Sequence, residues 1–139
     1  LRLLESESLS RNVEIKSAVD SNLSLTRWNK VEAKSALLNV AMNALQAMEA
    51  NGGKLNIEAK SDSHWIVLKF SDTGPGIKEE DLSQVLLPYV TRRKGGTGLG
   101  LSIARRVTER YGGKLTITSE RGVGTEVRFH LPVSVEKDA

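Results

Sequence analysis

Residues 72–77 read Asp-Thr-Gly-Pro-Gly-Ile, and residues 96–101 read Gly-Thr-Gly-Leu-Gly-Leu. The first stretch places one carboxylate at a sharp turn, and the second leads directly into a predicted helix. Neither stretch matches the Gly-x-x-x-x-Gly-Lys-Ser/Thr loop, and neither completes Gly-x-Gly-x-x-Gly after a strand. Two glycine-rich segments outside the commonest phosphate-binding patterns are therefore the features around which the chain has to be interpreted.

The bulk composition is that of an ordinary globular domain. The chain has 139 residues, 39% hydrophobic and 27% charged, and it contains no cysteine, which excludes disulfides and thiolate metal sites and fits a reducing cytoplasm. No apolar run reaches the roughly eighteen residues of a membrane span, and no signal peptide is visible. A net charge of +3 with two residues each of Trp, Tyr and Phe argues against nucleic-acid binding. The start at Leu1 suggests a fragment of a longer protein.

The hydrophobic pattern predicts alternating strand pairs and helices. Strands are expected over residues 13–16, 54–60, 64–71, 114–119 and 126–131, with 23–26 as a short antiparallel partner of the first. Helices are expected over about 30–50, 78–86 and 99–111. The predicted fold is α+β, a two-layer sandwich with a mixed, mostly antiparallel sheet of about five strands and three helices on one face. Residues 1–12 are expected to be a linker or the end of a preceding helix, 13–133 the domain, and 134–139 a tail.

Two asparagines lie one turn apart on the first predicted helix. Asn39 and Asn43, with Gln46 beside them, fall opposite a broad apolar face that consists of Leu37, Leu38, Ala41, Ala44, Leu45 and Met48. Such a pair can simply be solvated. Alternatively, the amide oxygen of Asn43 is a ligand for Mg²⁺, which prefers oxygen and keeps several waters.

The Asp72 carboxylate has a structural interpretation and a functional one. It can be an Asx turn that binds no ligand. As a binding group it would accept a hydrogen bond from the exocyclic amine of adenine and repel the carbonyl at the same edge of guanine. Gly74 and Gly76 would then let the backbone approach the base, and Ile77 would supply an apolar surface.

The second glycine run opens the third predicted helix, whose first amides would favour an anion such as phosphate. The residues concerned are Gly96, Thr97, Gly98, Leu99, Gly100 and Leu101. The cations just before them, Arg92, Arg93 and Lys94, would close over the β- and γ-phosphates, or they are a solvated loop. The helix itself is expected to bury Ile103, Ala104, Val107 and Tyr111.

These motifs together resemble the ATP-binding catalytic domain of bacterial two-component sensor histidine kinases, of the Bergerat fold shared with gyrase and MutL. Residues 39–44 resemble the N box, 72–76 the G1 box, 86–93 the F box with Thr91, 96–101 the G2 box, and 122–125 the final glycine motif. The glycine-rich string and short lid look most like the nitrogen-regulation sensor kinases.

The resemblance implies roles for single residues. Asn43 would ligate Mg²⁺, Asp72 would read adenine, and Thr125 would lie behind the base pocket. Gly96, Thr97, Gly98 and Gly100 would hold the phosphates of ATP, with ADP as product. Relatives that hydrolyse ATP carry Glu at the position of Asn39, and an amide cannot act as a base near neutral pH.

The resemblance also implies partners. The γ-phosphoryl group would go to a histidine on a dimerising helical domain of the same protein, and from there to a response regulator. Neither His64 nor His130 has that context, because both fall in predicted strands. We expect a cytoplasmic, monomeric fragment that does not insert into a membrane. The alternatives are a nucleotide-gated regulatory module and a Bergerat-type ATPase.

Overall fold

The computed structural model describes residues 12–19, 30–82 and 100–133. The elements along them are β1 (Val13–Val19), α1 (Lys30–Ala47), β2 (Gly53–Ser61), β3 (Trp65–Asp72), α2 (Glu79–Leu82), α3 (Gly100–Arg110), β4 (Lys114–Glu120) and β5 (Gly124–Pro132). The strand expected over 23–26, the end of the helix expected over 78–86, and the terminal segments 1–11 and 134–139 lie outside the described residues. The proposed division into linker, domain and tail stays a prediction.

The five strands form one sheet in the order β1-β2-β3-β5-β4. β1 pairs with β2 in parallel, and the other three pairings are antiparallel. Two parallel neighbours need a crossover connection, which α1 supplies between β1 and β2. The remaining pairings follow from hairpins between strands adjacent in sequence and from the return of β5 to β3. The mixed, mostly antiparallel α+β sandwich is confirmed.

One face of the sheet carries the hydrophobic core. Alternate strand residues such as Leu55, Phe70 and Phe129 are buried on this face, and the rings of Phe70 and Phe129 meet edge to face at 5.7 Å. Helices α1 and α3 contribute the other half of the same cluster and pack against each other. The short α2 contacts β4 and buries no side chain.

The buried face of α3 differs from the prediction at one position. Ile103 is 37% exposed, whereas Leu101, Ala104 and Val107 are buried. The helix turns by about 100° per residue, so a residue two places after Leu101 lies on nearly the opposite side. Thr108, which the sequence did not single out, is fully buried, and its hydroxyl is satisfied there by donating to the Ala104 carbonyl at 2.7 Å.

Glycines end both long helices, as the sequence predicted. Gly52 follows α1 with a φ of 70° and donates its N–H to the Met48 carbonyl at 2.7 Å. Gly112 follows α3 with a φ of 83°, and the N–H of Gly113 reaches back to the Thr108 carbonyl at 3.1 Å. Both ends are left-handed caps, a conformation that favours glycine.

The turn between β2 and β3 places His64 differently from the prediction. His64 lies in the turn and is exposed, and β3 begins only at Trp65. The turn is held by Asp62, whose Oδ1 accepts from the N–H groups of His64 at 2.8 Å and Trp65 at 2.7 Å. Those two hydrogen bonds, the Trp65 one foremost, lower the pKa of Asp62. His130 does lie in β5, as expected.

None of the helices in the described ranges combines the length and apolar character needed to cross a bilayer.

Candidate functional site

Asp72 is the last residue of the central strand β3, and its side chain is on the helix-covered side of the sheet. Its Oδ1 accepts a hydrogen bond from the N–H of Gly74 at 2.9 Å and one from the N–H of Thr125 at 3.3 Å. The first is the Asx turn expected from the sequence, and the second joins the turn to β5. The carboxylate is therefore half-buried and held in one orientation by two separate segments.

Two hydroxyl groups lie beside Asp72: that of Thr125, a predicted site residue, and that of Ser119, which the sequence analysis missed. Ser119 Oγ accepts from the N–H of Ile77 at 2.7 Å and donates to the Gly124 carbonyl at 2.9 Å. It also lies 2.9 Å from Thr125 Oγ1. A serine hydroxyl has one proton, and a carbonyl can only accept, so Thr125 is the donor to Ser119. The available signal was that Ser119 lies directly opposite Thr125 in the predicted last hairpin.

The turn at residues 72–77 packs on the turn between β4 and β5. Gly76 has a φ of 76°, and a side chain there would collide with the Glu120 carbonyl. The N–H of Gly122 donates to the Pro75 carbonyl at 2.7 Å. Within the described residues, position 76 thus requires glycine because the backbone of Glu120 lies next to it.

The same turn also touches the end of α1. Thr73 Oγ1 accepts a hydrogen bond from the N–H of Lys54 at 3.0 Å. The same hydroxyl donates to Met48 Sδ at 3.8 Å. A Cβ on Gly74 would lie within 3.5 Å of the Ala47 methyl group and within 3.4 Å of Met48. The candidate site therefore has α1 on one side and the β4–β5 hairpin on the other.

The amides of α1 lie along the helix that borders this turn. Asn39 and Asn43 are half-buried, whereas Gln46 is exposed. The apolar side of α1 holds Ala41, Ala44, Leu45 and Met48 in the core, together with Ala36 and Val40, while Leu37 and Leu38 are half-buried. The amides and the apolar residues lie on different sides of α1, as predicted. The amide side is only partly open to water, because Asn39 and Asn43 are half-buried.

The second glycine run reaches the described residues only at its end. Gly100 is the first residue of α3, and Leu101 is 7% exposed in the core. Leu101 could therefore contribute its backbone, and not its side chain, to a phosphate site. The other predicted residues of this run and of the preceding loop lie outside the described residues: Thr91, Arg92, Arg93, Lys94, Gly96, Thr97, Gly98 and Leu99.

Comparison with known families gives one match that covers most of the chain. Residues 29–135 match the family described as "Histidine kinase-, DNA gyrase B-, and HSP90-like ATPase". Among curated proteins, sporulation kinase D of Bacillus subtilis strain 168 is 43% identical over 110 residues, 79% of this chain. The chain spans only 22% of the length of that relative.

Solved structures give the same result. The nucleotide-free catalytic domain of histidine kinase ThkA has a TM-score of 0.83 at 28% identity, covering 95% of this chain and 86% of the ThkA chain. Full-length ShkA in complex with AMPPNP has a TM-score of 0.84 at 28% identity, covering 96% of this chain and 28% of that protein.

The fold, the carboxylate turn and these matches define an ATP-binding catalytic domain of the kind found in two-component sensor kinases. The chain belongs to the histidine kinase-, DNA gyrase B- and HSP90-like ATPase family. The resemblance drawn from the motifs is thus confirmed at the level of family and fold. The finer likeness to nitrogen-regulation sensor kinases stays a prediction.

Proposed function

We propose that the chain binds Mg²⁺·ATP between α1, the turn at residues 72–77 and the N-terminus of α3, and donates the γ-phosphoryl group to a histidine on a separate helical domain of the same protein. One observation carries the proposal. Asp72 is held by the N–H groups of Gly74 and Thr125 at the end of the central strand. A carboxylate held in this way is preorganised to read a hydrogen-bond donor.

Adenine is the base that fits this carboxylate. Its exocyclic amine donates a hydrogen bond where guanine presents a carbonyl, so the wrong base would leave two acceptors facing each other. Thr125 supports the same assignment, since its hydroxyl donates to Ser119 and its remaining lone pairs can accept. Ile77 would give the base an apolar neighbour.

The side chains of α1 fit a magnesium ion held with the nucleotide. Asn39 and Asn43 are half-buried amides one helical turn apart, and their oxygens are hard ligands of the type Mg²⁺ takes. Asn43 would bind the ion, which would neutralise phosphate charge when bound. The backbone amides at the start of α3 and the loop residues 91–99 would hold the phosphates, with Gln46 at the margin.

Hydrolysis is expected to be slow because Asn39 offers an amide where a general base would be needed. The phosphoryl acceptor is expected on another part of the protein. The two histidines of the chain are engaged elsewhere: His64 Nδ1 lies 3.0 Å from Ser63 Oγ in a turn, and His130 Nε2 lies 3.3 Å from Thr116 Oγ1 in the sheet. A response regulator would be the downstream partner, and the cytoplasm the compartment.

The test is phosphotransfer in trans. The chain, labelled γ-phosphate ATP and a dimerising histidine hairpin from a related sensor kinase are mixed with Mg²⁺, and acid-labile, alkali-stable label on the hairpin is measured. The proposal predicts labelled hairpin in the complete mixture and none without the chain. Nucleotide binding without transfer would favour a nucleotide-gated module, and rapid phosphate release without the hairpin would favour an ATPase.

A further inference from the structure

An ionic contact joins the two long helices at the end remote from Asp72. Glu32, in the first turn of α1, accepts hydrogen bonds from the Tyr111 hydroxyl through Oε1 and from Arg110 Nη1 through Oε2. The Glu32 side chain is 29% exposed and that of Arg110 is 54% exposed, so water screens the ion pair, whereas the hydrogen bond from Tyr111 is partly buried. Both oxygens are used by donors from α3 and its cap.

The α3 side of this contact is rigid. The N–H groups of Tyr111 and Gly113 both bond to the Thr108 carbonyl, at 3.2 and 3.1 Å, and Thr108 itself is fully buried. Gly113 lies so close to the His130 carbonyl that a Cβ there would collide with it. The end of α3 is therefore anchored to the sheet, and Tyr111 offers its hydroxyl from a defined position.

The antiparallel packing of the two helices relates this contact to the proposed site at their other end. The first turn of α1 meets the last turn of α3 and the two helices pack against each other, so they run in opposite directions. Asn43 lies about three turns after Glu32, and Gly100 about three turns before Tyr111, or roughly 16 Å along each axis at 1.5 Å per residue. Fixing one end of the pair thus sets the axial position of Gly100 relative to Asn43.

The buried faces of the two helices carry large as well as small side chains. Fully buried positions include Leu45 on α1 and Thr108 on α3, together with the small Ala36 and Ala104. Apolar packing of this kind is largely non-directional. The hydrogen bonds of Glu32 add a directional restraint between defined atoms at one end of the helix pair.

We propose that Glu32 is a positioning residue, which through Tyr111 and Arg110 holds the N-terminus of α3 at the distance from Asn43 that a magnesium-bound triphosphate requires. The inference rests on the proposed function, because it assigns the phosphates to α3 and the metal to α1. It adds that the phosphate part of nucleotide binding depends on a contact about three turns away, which touches neither base nor phosphate.

The test separates base binding from phosphate binding. Affinities for adenosine, by NMR titration, and for ATP with saturating Mg²⁺, by calorimetry, are measured for the wild type, Glu32→Gln and Tyr111→Phe. Glutamine keeps the shape but carries no charge and offers one acceptor oxygen instead of two, and phenylalanine removes only the hydroxyl. Both variants should bind adenosine within about two-fold of wild type and ATP about ten-fold more weakly, which is the scale of one misaligned charged hydrogen bond.

Glu109→Gln is the matched control, because it removes the 3.0 Å pair with Arg105 on the exposed side of the same helix. It should leave both affinities unchanged. The double variant Glu32→Gln/Tyr111→Phe should be no weaker than the weaker single variant, as expected for one shared contact. Thermal unfolding of each variant establishes that it is folded.

An ATP affinity equal to that of the wild type in both variants overturns the inference, and so does an equal loss for the two ligands, which would indicate a general structural role. A wild type that binds adenosine and ATP equally would instead overturn the proposed phosphate site itself.

Discussion

At the scale of single residues, the site depends on hydrogen bonds that the protein makes to itself. Asp72 is oriented by Gly74 and Thr125, and Thr125 is oriented by Ser119. In the proposed adenine site these hydrogen bonds would orient the carboxylate during folding, which would lower the orientation cost of binding.

Asp72→Asn tests this orientation. The asparagine oxygen can still accept from the Gly74 N–H, but its NH₂ group would face the adenine amine, donor against donor. We expect ATP affinity to fall by about 10- to 100-fold, the scale of a charge-assisted hydrogen bond, and the preference for ATP over GTP to disappear. Parallel titrations with the two nucleotides measure both effects.

Asp62→Asn is the control for Asp72→Asn, because Asp62 also accepts two backbone N–H bonds but lies in the β2–β3 turn. It should leave nucleotide affinity unchanged. An Asp72→Asn protein that still prefers ATP would show that the adenine-reading group lies elsewhere.

Two glycines with similar backbones test the packing of the turn. Gly76 and Gly122 have φ values of 76° and 86°, but a Cβ would meet backbone at Gly76, whereas a Cβ on Gly122 would have open space around it. Gly122→Ala should cost about 1 kcal/mol from the left-handed backbone alone. Gly76→Ala should cost roughly a further 1–3 kcal/mol from overpacking.

Urea denaturation of the two alanine variants measures the difference. Equal losses of stability would mean that the contact between the 72–77 turn and Glu120 is not tight in solution.

How far residues could be assigned from sequence depended on whether their role is local. The Asx turn at Asp72 and the glycine caps are set by neighbours in the chain, and they were predicted. Thr73 accepts from Lys54, 19 positions away, so no local pattern pointed to it. Ser119 accepts from Ile77, 42 positions away, and the only local signal for it was its place opposite Thr125 in the last hairpin. Ile103 was misassigned because hydrophobic character alone does not say which side of α3 meets α1.

At the scale of elements, β5 has core residues on one face and a titratable side chain, His130, on the other. Val127, Phe129 and Leu131 are buried on one face, and His130 lies on the other, beside Lys114 and Arg128. Partial burial first, and these two cations second, lower the pKa of His130 below its ordinary value of 6.5.

The sign of the resulting pH dependence follows from linkage. The unfolded chain takes up a proton at His130 near pH 6.5, before the folded protein does, so the contribution to stability is present above that pH and is lost as the pH falls toward the folded pKa. We expect His130→Gln to flatten the stability curve below about pH 6.5. Lys114→Gln should flatten it partly.

NMR titration of His130 gives the most direct measurement of this effect. A midpoint above 6.5 in the folded protein would contradict the assigned cause.

Element boundaries were predicted well where turns are strong and less well where pairing is long-range. Both hairpins and both long helices lie where glycines and alternation placed them, within a few residues. The parallel pairing of β1 with β2 was not specified, because it depends on the crossover through α1 and not on an adjacent turn.

At the scale of the whole molecule, the site belongs to no single segment. β3 is the central strand, and its end with the turn that follows contacts β2 and the end of α1 from one half of the chain and β4 and β5 from the other. The proposed site therefore requires the domain to fold as a unit. The family could be recognised from sequence because separate motifs lie on α1, on the turn after β3 and in the β4–β5 hairpin.

The central claim is that this assembled space binds Mg²⁺·ATP. Calorimetric titration of ATP into the folded chain with saturating Mg²⁺ tests it most directly, with GTP as the comparison. We predict a saturable, single-site heat for ATP and a much weaker one for GTP. Absence of any heat with ATP or ADP, from protein shown to be folded, would contradict the account.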